Sequence, residues 1–254
     1  ERPTHPELLD WLAAEFVESG WDLKGLQRQI VLSTVYRQSS AGSEEAERLY
    51  GRMALRRLEA EALRDAVLAV SGKLNREMFG PAVPVMEDGV GEIVVGKENK
   101  DGEGKLGQAI DLGGQEFRRS LYVQVRRSRP LGVLEPFDLP TMEPNCSERA
   151  SSTVAPQALV LMNSEFVVRY SEVLAKRVRR EAGDEGAAQV ARAFDLVYCR
   201  LPTAEESERT GAFLEAQALR FRERDGEKAG DVKLEALASV CQALLSSNEF
   251  LYLH

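Results

Sequence analysis

The sequence predicts a mainly α-helical fold: a multi-helix scaffold carrying a small β-hairpin or strand insertion at about residues 80–127. Three observations predict it. Apolar residues recur at helical spacing on both flanks, nine of the twenty glycines crowd between Gly80 and Gly114, and Leu121, Val123 and Val125 alternate with Tyr122 and Gln124. The first pattern builds amphipathic helices, the second breaks them, and the third suits a half-buried strand.

Taken in order, Thr4 and Glu7 read as a capping box with Pro6 tolerated in the first turn, followed by Leu8, Leu9, Leu12 and Phe16 on one helix face. A second helix is expected from about Asp22 to Tyr36, with Leu23, Leu26, Ile30 and Val31 inward, and then a polar loop from Gln38 to Ser43. A third is expected from about Glu44 to Ser71, carrying Leu55, Leu58, Ala62, Leu63, Ala66 and Val70 on one side, with Gly51 as a potential break. The glycine-rich stretch follows, with Ile93-Val94-Val95 as a short β run, and then the strand over Arg119 to Arg127. Pro130, Pro136, Pro140 and Pro144 mark an extended connection. Helices resume near Ala155, one running to about Glu181 and ending at Gly183, another over Ala187 to Tyr198. A second capping box, Thr203 to Glu206, opens a helix holding Phe213, Leu214 and Phe221. Arg222 to Asp231 reads as a charged loop, and a last helix runs from Val232 to about Ser247 with Leu234, Leu237, Ala238, Cys241 and Leu244 or Leu245 apolar. The reading is one integrated domain over 1–254: N-terminal helices to residue 75, the glycine-rich insertion over 76–130, and the connection with the C-terminal helices over 131–254.

The chemistry is narrowed by what is scarce. A net charge of −8 argues against a dedicated nucleic-acid binder. No apolar run reaches the ~20 residues of a membrane helix, so no membrane insertion by this chain is expected. The chain opens Glu1-Arg2-Pro3, polar, with no signal peptide and no initiator Met, which reads as a boundary and leaves open a targeting segment removed ahead of it. Two histidines, His5 and His254, and three scattered cysteines, Cys146, Cys199 and Cys241, argue against a Ser-His-Asp triad, a disulfide framework or a transition-metal site; no metal and no cofactor is expected.

Near-motifs fail at their decisive positions. Gly91 to Lys97 resembles a phosphate loop, but Glu98 stands where Ser or Thr would hold magnesium, and no helix is expected after it. Asn99, Asp101 and Glu103 imitate a calcium loop whose twelfth position is Ile110 instead of a bidentate Glu. Glu61 and Asp65 share a helix face and have acid–base potential, yet Arg57 and Arg64 stand beside them, which favours a bracing ion network. Arg118, Arg119, Arg126, Arg127 and Arg129 bracket the expected strand; they form the candidate surface for sulfate, carboxylate or phosphate groups of a polymer, or else a charge-protected strand edge.

Several segments together carry a resemblance: Thr4 to Ala13, Gly20 to Lys24, Ser33 to Ser40, Arg57 to Asp65, Arg119 to Tyr122, Phe137-Asp138, Cys146 with Arg149, Pro156 to Leu159 with Asn163, and Ser247 to Phe250. The ensemble resembles the planctomycete-specific C-terminal domain family of unknown function, found in large exported proteins that often begin with a cytochrome-c-like segment. The resemblance covers essentially the whole chain. It implies a start upstream of residue 1, a periplasmic or cell-surface setting, and other domains of the parent protein as partners. No established activity comes with it. The chain also departs from the family pattern, since a second acid near Thr141 is missing, which weakens a two-carboxylate mechanism beside Asp138.

The functional expectation is a non-catalytic binding or assembly module of a larger exported multidomain protein, contacting anionic polysaccharide through the arginine run. The alternative is a polysaccharide-acting enzyme that uses carboxylates among Glu61, Asp65, Glu135 and Asp138 as acid and base. Phe137, Asp138, Cys146, Arg149, Gln157 and Asn163 are expected to form a structural hub. In it, Phe137 fills an apolar pocket, Asp138 and Arg149 are buried and held by each other or by backbone, and Ser152 or Thr153 caps the helix entered through Pro156.

Overall fold

The computed structural model describes residues 2–97, 110–126, 129–140, 149, 152–226 and 230–253. It is mainly α, with ten α-helices and two small antiparallel two-stranded sheets among the described residues. Contacts divide the chain into two compact units, Glu1–Arg57 with Tyr252–His254, and Leu58–Leu251, a division the sequence reading does not draw.

The first unit holds α1 (Pro6–Glu18), α2 (Leu23–Leu32), α3 (Glu44–Arg48) and the strand pair β1 (Arg56–Arg57) with β4 (Tyr252–Leu253). Its helices are shorter than their apolar spacing suggests, and local hydrogen bonds are the reason. Pro6 takes the first helical position of α1, so His5 becomes the N-cap; Thr4 Oγ1 bonds His5 Nδ1 at 3.0 Å in place of the expected capping box. Asp22 caps α2, accepting from Gly25 N at 3.0 Å. The helix stops at Leu32, short of Tyr36, because the Ser33 hydroxyl donates to Ile30 O at 2.7 Å and accepts from Tyr36 N at 3.2 Å. The long third helix is broken where Gly51 N bonds Ala46 O at 2.7 Å and Tyr50 takes a φ of +56°.

The second unit begins with α4 (Ala60–Val70). Its buried face is Ala60, Leu63, Arg64, Val67 and Leu68, rotated from the expected stripe: Ala62 is exposed. The glycine-rich region contributes the hairpin of β2 (Val85–Glu87) and β3 (Ile93–Val95), with Met86 opposite Val94. Its turn is tied by Asp88, whose carboxylate accepts from Val90 N at 3.0 Å and Glu92 N at 2.8 Å, and Gly91 supplies the left-handed φ of +90° that the turn needs.

The expected strand over Arg119 to Arg127 is not formed in the described part. Ser120–Tyr122 is a 3-10 turn, and only a single parallel bridge joins Val123 to Val83. Side chains of α4 hold the segment instead: Asp65 Oδ1 accepts from both Ser120 N and Ser120 Oγ at 2.7 Å, and Arg64 Nη1 donates to Arg118 O at 2.9 Å. Those bonds take backbone groups that a ladder would need.

The helix expected from Ala155 divides into α5 (Ala155–Asn163) and α6 (Glu165–Ala182) at Ser164. Ser164 is extended, and its hydroxyl accepts from Val167 N at 3.3 Å, so it ends one helix and caps the next. Gly183 ends α6 at a φ of +76°. There follow α7 (Gly186–Tyr198), α8 (Ala204–Asp225), which opens on the Thr203–Glu206 capping box and extends into the expected charged loop, α9 (Val232–Leu245) and α10 (Asn248–Leu251). Helices α6, α7 and α9 enclose the main core, including Leu174, Val178, Val190, Ala193, Leu237 and Val240; α8 covers α9, and α4 and α5 pack against α6. No described helix is long and apolar enough to cross a membrane.

Candidate functional site

Of the described arginines of the run, Arg118 is buried and Arg119, Arg126 and Arg129 are exposed. Arg118 is 2% exposed; its guanidinium stacks 3.9 Å above the Tyr122 ring and donates to the carbonyls of Glu77, Phe79 and Pro81. It is a clamp on the chain before the hairpin and lies beneath any surface patch, a correction to the expected ligand surface. Arg126 Nη2 donates to Val85 O at 2.5 Å, and Arg129 bonds Glu87 and Gly91 O, so both brace the hairpin from outside. Arg119 is half exposed, with Asp65 Oδ2 at 3.9 Å. Arg127 lies outside the described residues.

The four candidate acids occupy structural posts or open surface. Glu61 is gripped bidentately by Arg149, at 2.7 and 3.1 Å. Asp65 holds Ser120, and Asp138 accepts from Ser152 N at 2.7 Å and Ser152 Oγ at 2.8 Å. Glu135 is exposed beside an open depression of about 420 Å³ that it shares with Glu92. These posts give Glu61, Asp65 and Asp138 anchoring partners.

Around Phe137 the chain is densely tied. Phe137 is 1% exposed and sits among Leu63, Val67, Leu161 and Val167, beside a void of only about 10 Å³. Asp138 takes the left-handed φ of +57°, which Asp tolerates better than most residues, and its carboxylate is held by Ser152. Gln157, buried, donates to Pro136 O at 3.0 Å and Ser152 O at 3.2 Å, while its Oε1 accepts from Val154 N at 3.4 Å. Gln157 thus protects the start of α5, whose N-cap is Val154; neither Ser152 nor Thr153 occupies the cap position expected of it, because Pro156 fixes the first turn one residue later. Asn163 is exposed at the end of α5, where the last carbonyls are served from α9 and the residue after it: Gln242 Nε2 donates to Met162 O at 2.7 Å and Ser246 Oγ to Leu161 O at 3.1 Å. Cys146 lies outside the described residues.

Arg149 is paired with Glu61 and Glu59, and the Arg149 and Glu61 side chains are about one-third exposed, at 33% and 31%. The full cost of orphaning a buried ion therefore does not apply. Arg149→Ala is expected to lower stability by about 1 kcal/mol at neutral pH. Burial pushes the Glu61 carboxyl up, but its hydrogen bond to Arg149, its own backbone and the Arg149 charge outweigh this, so it lies below its ordinary 4.5. A carboxyl lowered in the folded state contributes stability above its unfolded value and loses it as pH falls through the folded one. The gap in urea midpoint between parent and variant should accordingly close in acid; a gap that is pH-independent would refute the pairing.

One cavity gathers polar groups of which Glu116 Oε2 has no such structural employment among the described residues. It measures about 280 Å³, at the small end for ligand sites. The β2–β3 hairpin contributes Asp88, Glu92 and Ile93; the 3-10 turn Gln115–Phe117 contributes Glu116 and Phe117; the first turns of α6 contribute Glu165, Phe166, Arg169 and Tyr170; and Arg64 closes it from α4. Gly132 lies close under Glu92: a Cβ there would fall 2.4 Å from the Glu92 side chain, which would have to shift. Burial, then the like charges of Asp88 and Glu165, push the Glu92 carboxyl up. Burial also pushes Tyr170 up against the opposing pull of Arg169 and Arg64. Arg64 spends its donors on Arg118 O, Ser120 Oγ and, at 2.7 Å, Glu116 O. Residues 92, 116 and 170 are too distant in sequence to announce one another; only Arg64, an arginine on the apolar stripe of Leu63 and Val67, carried a local signal. Among the described residues, no group of three or more His, Cys, Asp or Glu is placed to hold a metal ion.

A family model described as PSD1, protein of unknown function (DUF1553), matches residues 1–214. No curated protein and no solved structure matches the chain.

Proposed function

We propose, for a chain that belongs to the PSD1 family of proteins of unknown function (DUF1553), a non-catalytic role as an assembly module of a larger exported multidomain protein. The observation that carries this reading is the state of α1 and α2. Neither helix buries a single residue, yet they present Leu8, Leu9, Trp11, Val17, Ile30 and Val31 to solvent. Exposed apolar surface on this scale marks an interaction face, and helices whose most covered apolar residues, Leu12, Phe16 and Leu26, are only half-buried suit a permanent partner better than a transient one. Another domain of the same parent protein meets that need, consistent with the resemblance to domains of large multidomain proteins. A periplasmic or cell-surface location belongs to the same proposal.

The engagement of Glu61, Asp65 and Asp138 supports the non-catalytic half of the reading. A contact with anionic polysaccharide loses the internal Arg118 and retains the exposed Arg119, Arg126 and Arg129, the last paired with Glu87. The test is to supply the remainder of the parent polypeptide in trans and measure binding with the parent chain and with Leu9→Glu plus Trp11→Glu. Binding that falls by about tenfold or more in the variant is expected, as for loss of buried anchors. Unchanged binding, or association only between copies of this chain, would defeat the proposal.

A further inference from the structure

The 280 Å³ cavity holds unspent polar groups whose combined character specifies a ligand. Glu116 Oε2 is buried and has no hydrogen-bond partner among the described residues. Tyr170 is 7% exposed and lines the same space. A buried acceptor left without a partner is costly unless something occupies the cavity. Asp88, Glu92, Glu116 and Glu165 face Arg64 and Arg169 there. Arg64 is directed at backbone and Ser120 oxygens, and Asp65 stands 3.7 Å from it, which further offsets its charge. The remaining balance is negative, against aromatic walls formed by Phe117, Phe166 and Tyr170 and apolar walls formed by Met86, Ile93 and Leu131.

We infer that this cavity binds a small organic cation, a primary ammonium group carried on a short apolar body. The ammonium has three donors, which suits Glu116 Oε2, the Tyr170 hydroxyl oxygen and the Glu92 carboxylate at the rim, and an aromatic face attracts the same charge. A bound cation also offsets the burial and the like charges of Asp88 and Glu165 that push Glu92 up. The apolar body replaces water along Met86, Ile93 and Leu131. An anionic ligand would meet the same carboxylates as repulsion, and a neutral one would leave their charge uncompensated. This inference goes beyond the assembly reading and does not depend on it.

The experiment uses the whole chain and calorimetric titration with n-hexylammonium, with 1-hexanol and hexanoate as the neutral and anionic counterparts. Hexylammonium is expected to bind about tenfold tighter than either, the scale of one charge-assisted hydrogen bond. Glu116→Gln should weaken it by about tenfold, and Tyr170→Phe should weaken it without changing hexanol binding. If Glu116→Gln fails to fold, Glu92→Gln at the rim supplies the same comparison and should also weaken hexylammonium selectively. Equal binding of hexanol and hexylammonium would reduce the cavity to an apolar hole. No binding, or binding that folded variants leave unchanged, would overturn the inference.

Discussion

Arg64→Ala should destabilise the protein by about 3–5 kcal/mol, the cost of breaking a buried charged network from one side. The side chain is 3% exposed, and burial pushes its pKa down while Asp65 and Tyr170 oppose that shift. Its guanidinium joins three points on a segment more than fifty residues away: Arg118 O at 2.9 Å, Ser120 Oγ at 3.2 Å and Glu116 O at 2.7 Å. Alanine leaves two carbonyls short of a donor and removes the charge beside Asp65, which itself holds Ser120. Loss of volume adds to the effect, because the stem of Arg64 lies on the same buried face as Leu63 and Val67. Arg64→Lys should recover part of the loss, keeping the charge but losing the planar guanidinium that spans Glu116 and Arg118. Urea unfolding of the three proteins measures this directly. An alanine variant within 1 kcal/mol of the parent, by that same measure, would show that the network contributes only geometry.

Phe137→Ala is expected to cost a similar amount, about 3–5 kcal/mol, by a different mechanism. Phe137 is 1% exposed, and the adjoining void is about 10 Å³, so the ring fills its site almost completely. Alanine would leave a hole among α4, α5 and α6 that the tied backbone around it resists closing: Gln157 holds Pro136 O, and Asp138 holds Ser152. Phe137→Leu retains most of the contact and should cost less than half as much, about 1–1.5 kcal/mol. Denaturant midpoints for the two variants separate the ring's packing from a general intolerance of substitution. Equal losses for leucine and alanine would mean that the backbone conformation, with Asp138 left-handed, is the sensitive element instead.

The helical class, the hairpin in the glycine-rich region, the second capping box, the stop at Gly183 and the course of α7 and α9 are all legible in the sequence. These depend on neighbours within about four residues: hydrophobic period, hydroxyl caps and glycine conformations are local quantities. The sequence did not determine what residues 118–126 do. Alternation at Leu121, Val123 and Val125 is a valid strand signal, but a strand also needs a partner, and Leu121 and Val125 are left exposed because Arg64 and Asp65 pin the chain as a turn. The same contacts decided which arginines face solvent. A one-dimensional charge count gives Arg118 and Arg119 equal standing, yet Arg118 is clamped on Tyr122 and three carbonyls while Arg119 is half exposed. The cavity of Glu92, Glu116 and Tyr170 was likewise decided by tertiary structure alone, because it joins a hairpin, a 3-10 turn and a helix whose residues share no local pattern. Burial sets the energy of a charge or a hydroxyl, and burial is a property of what the whole fold brings alongside it.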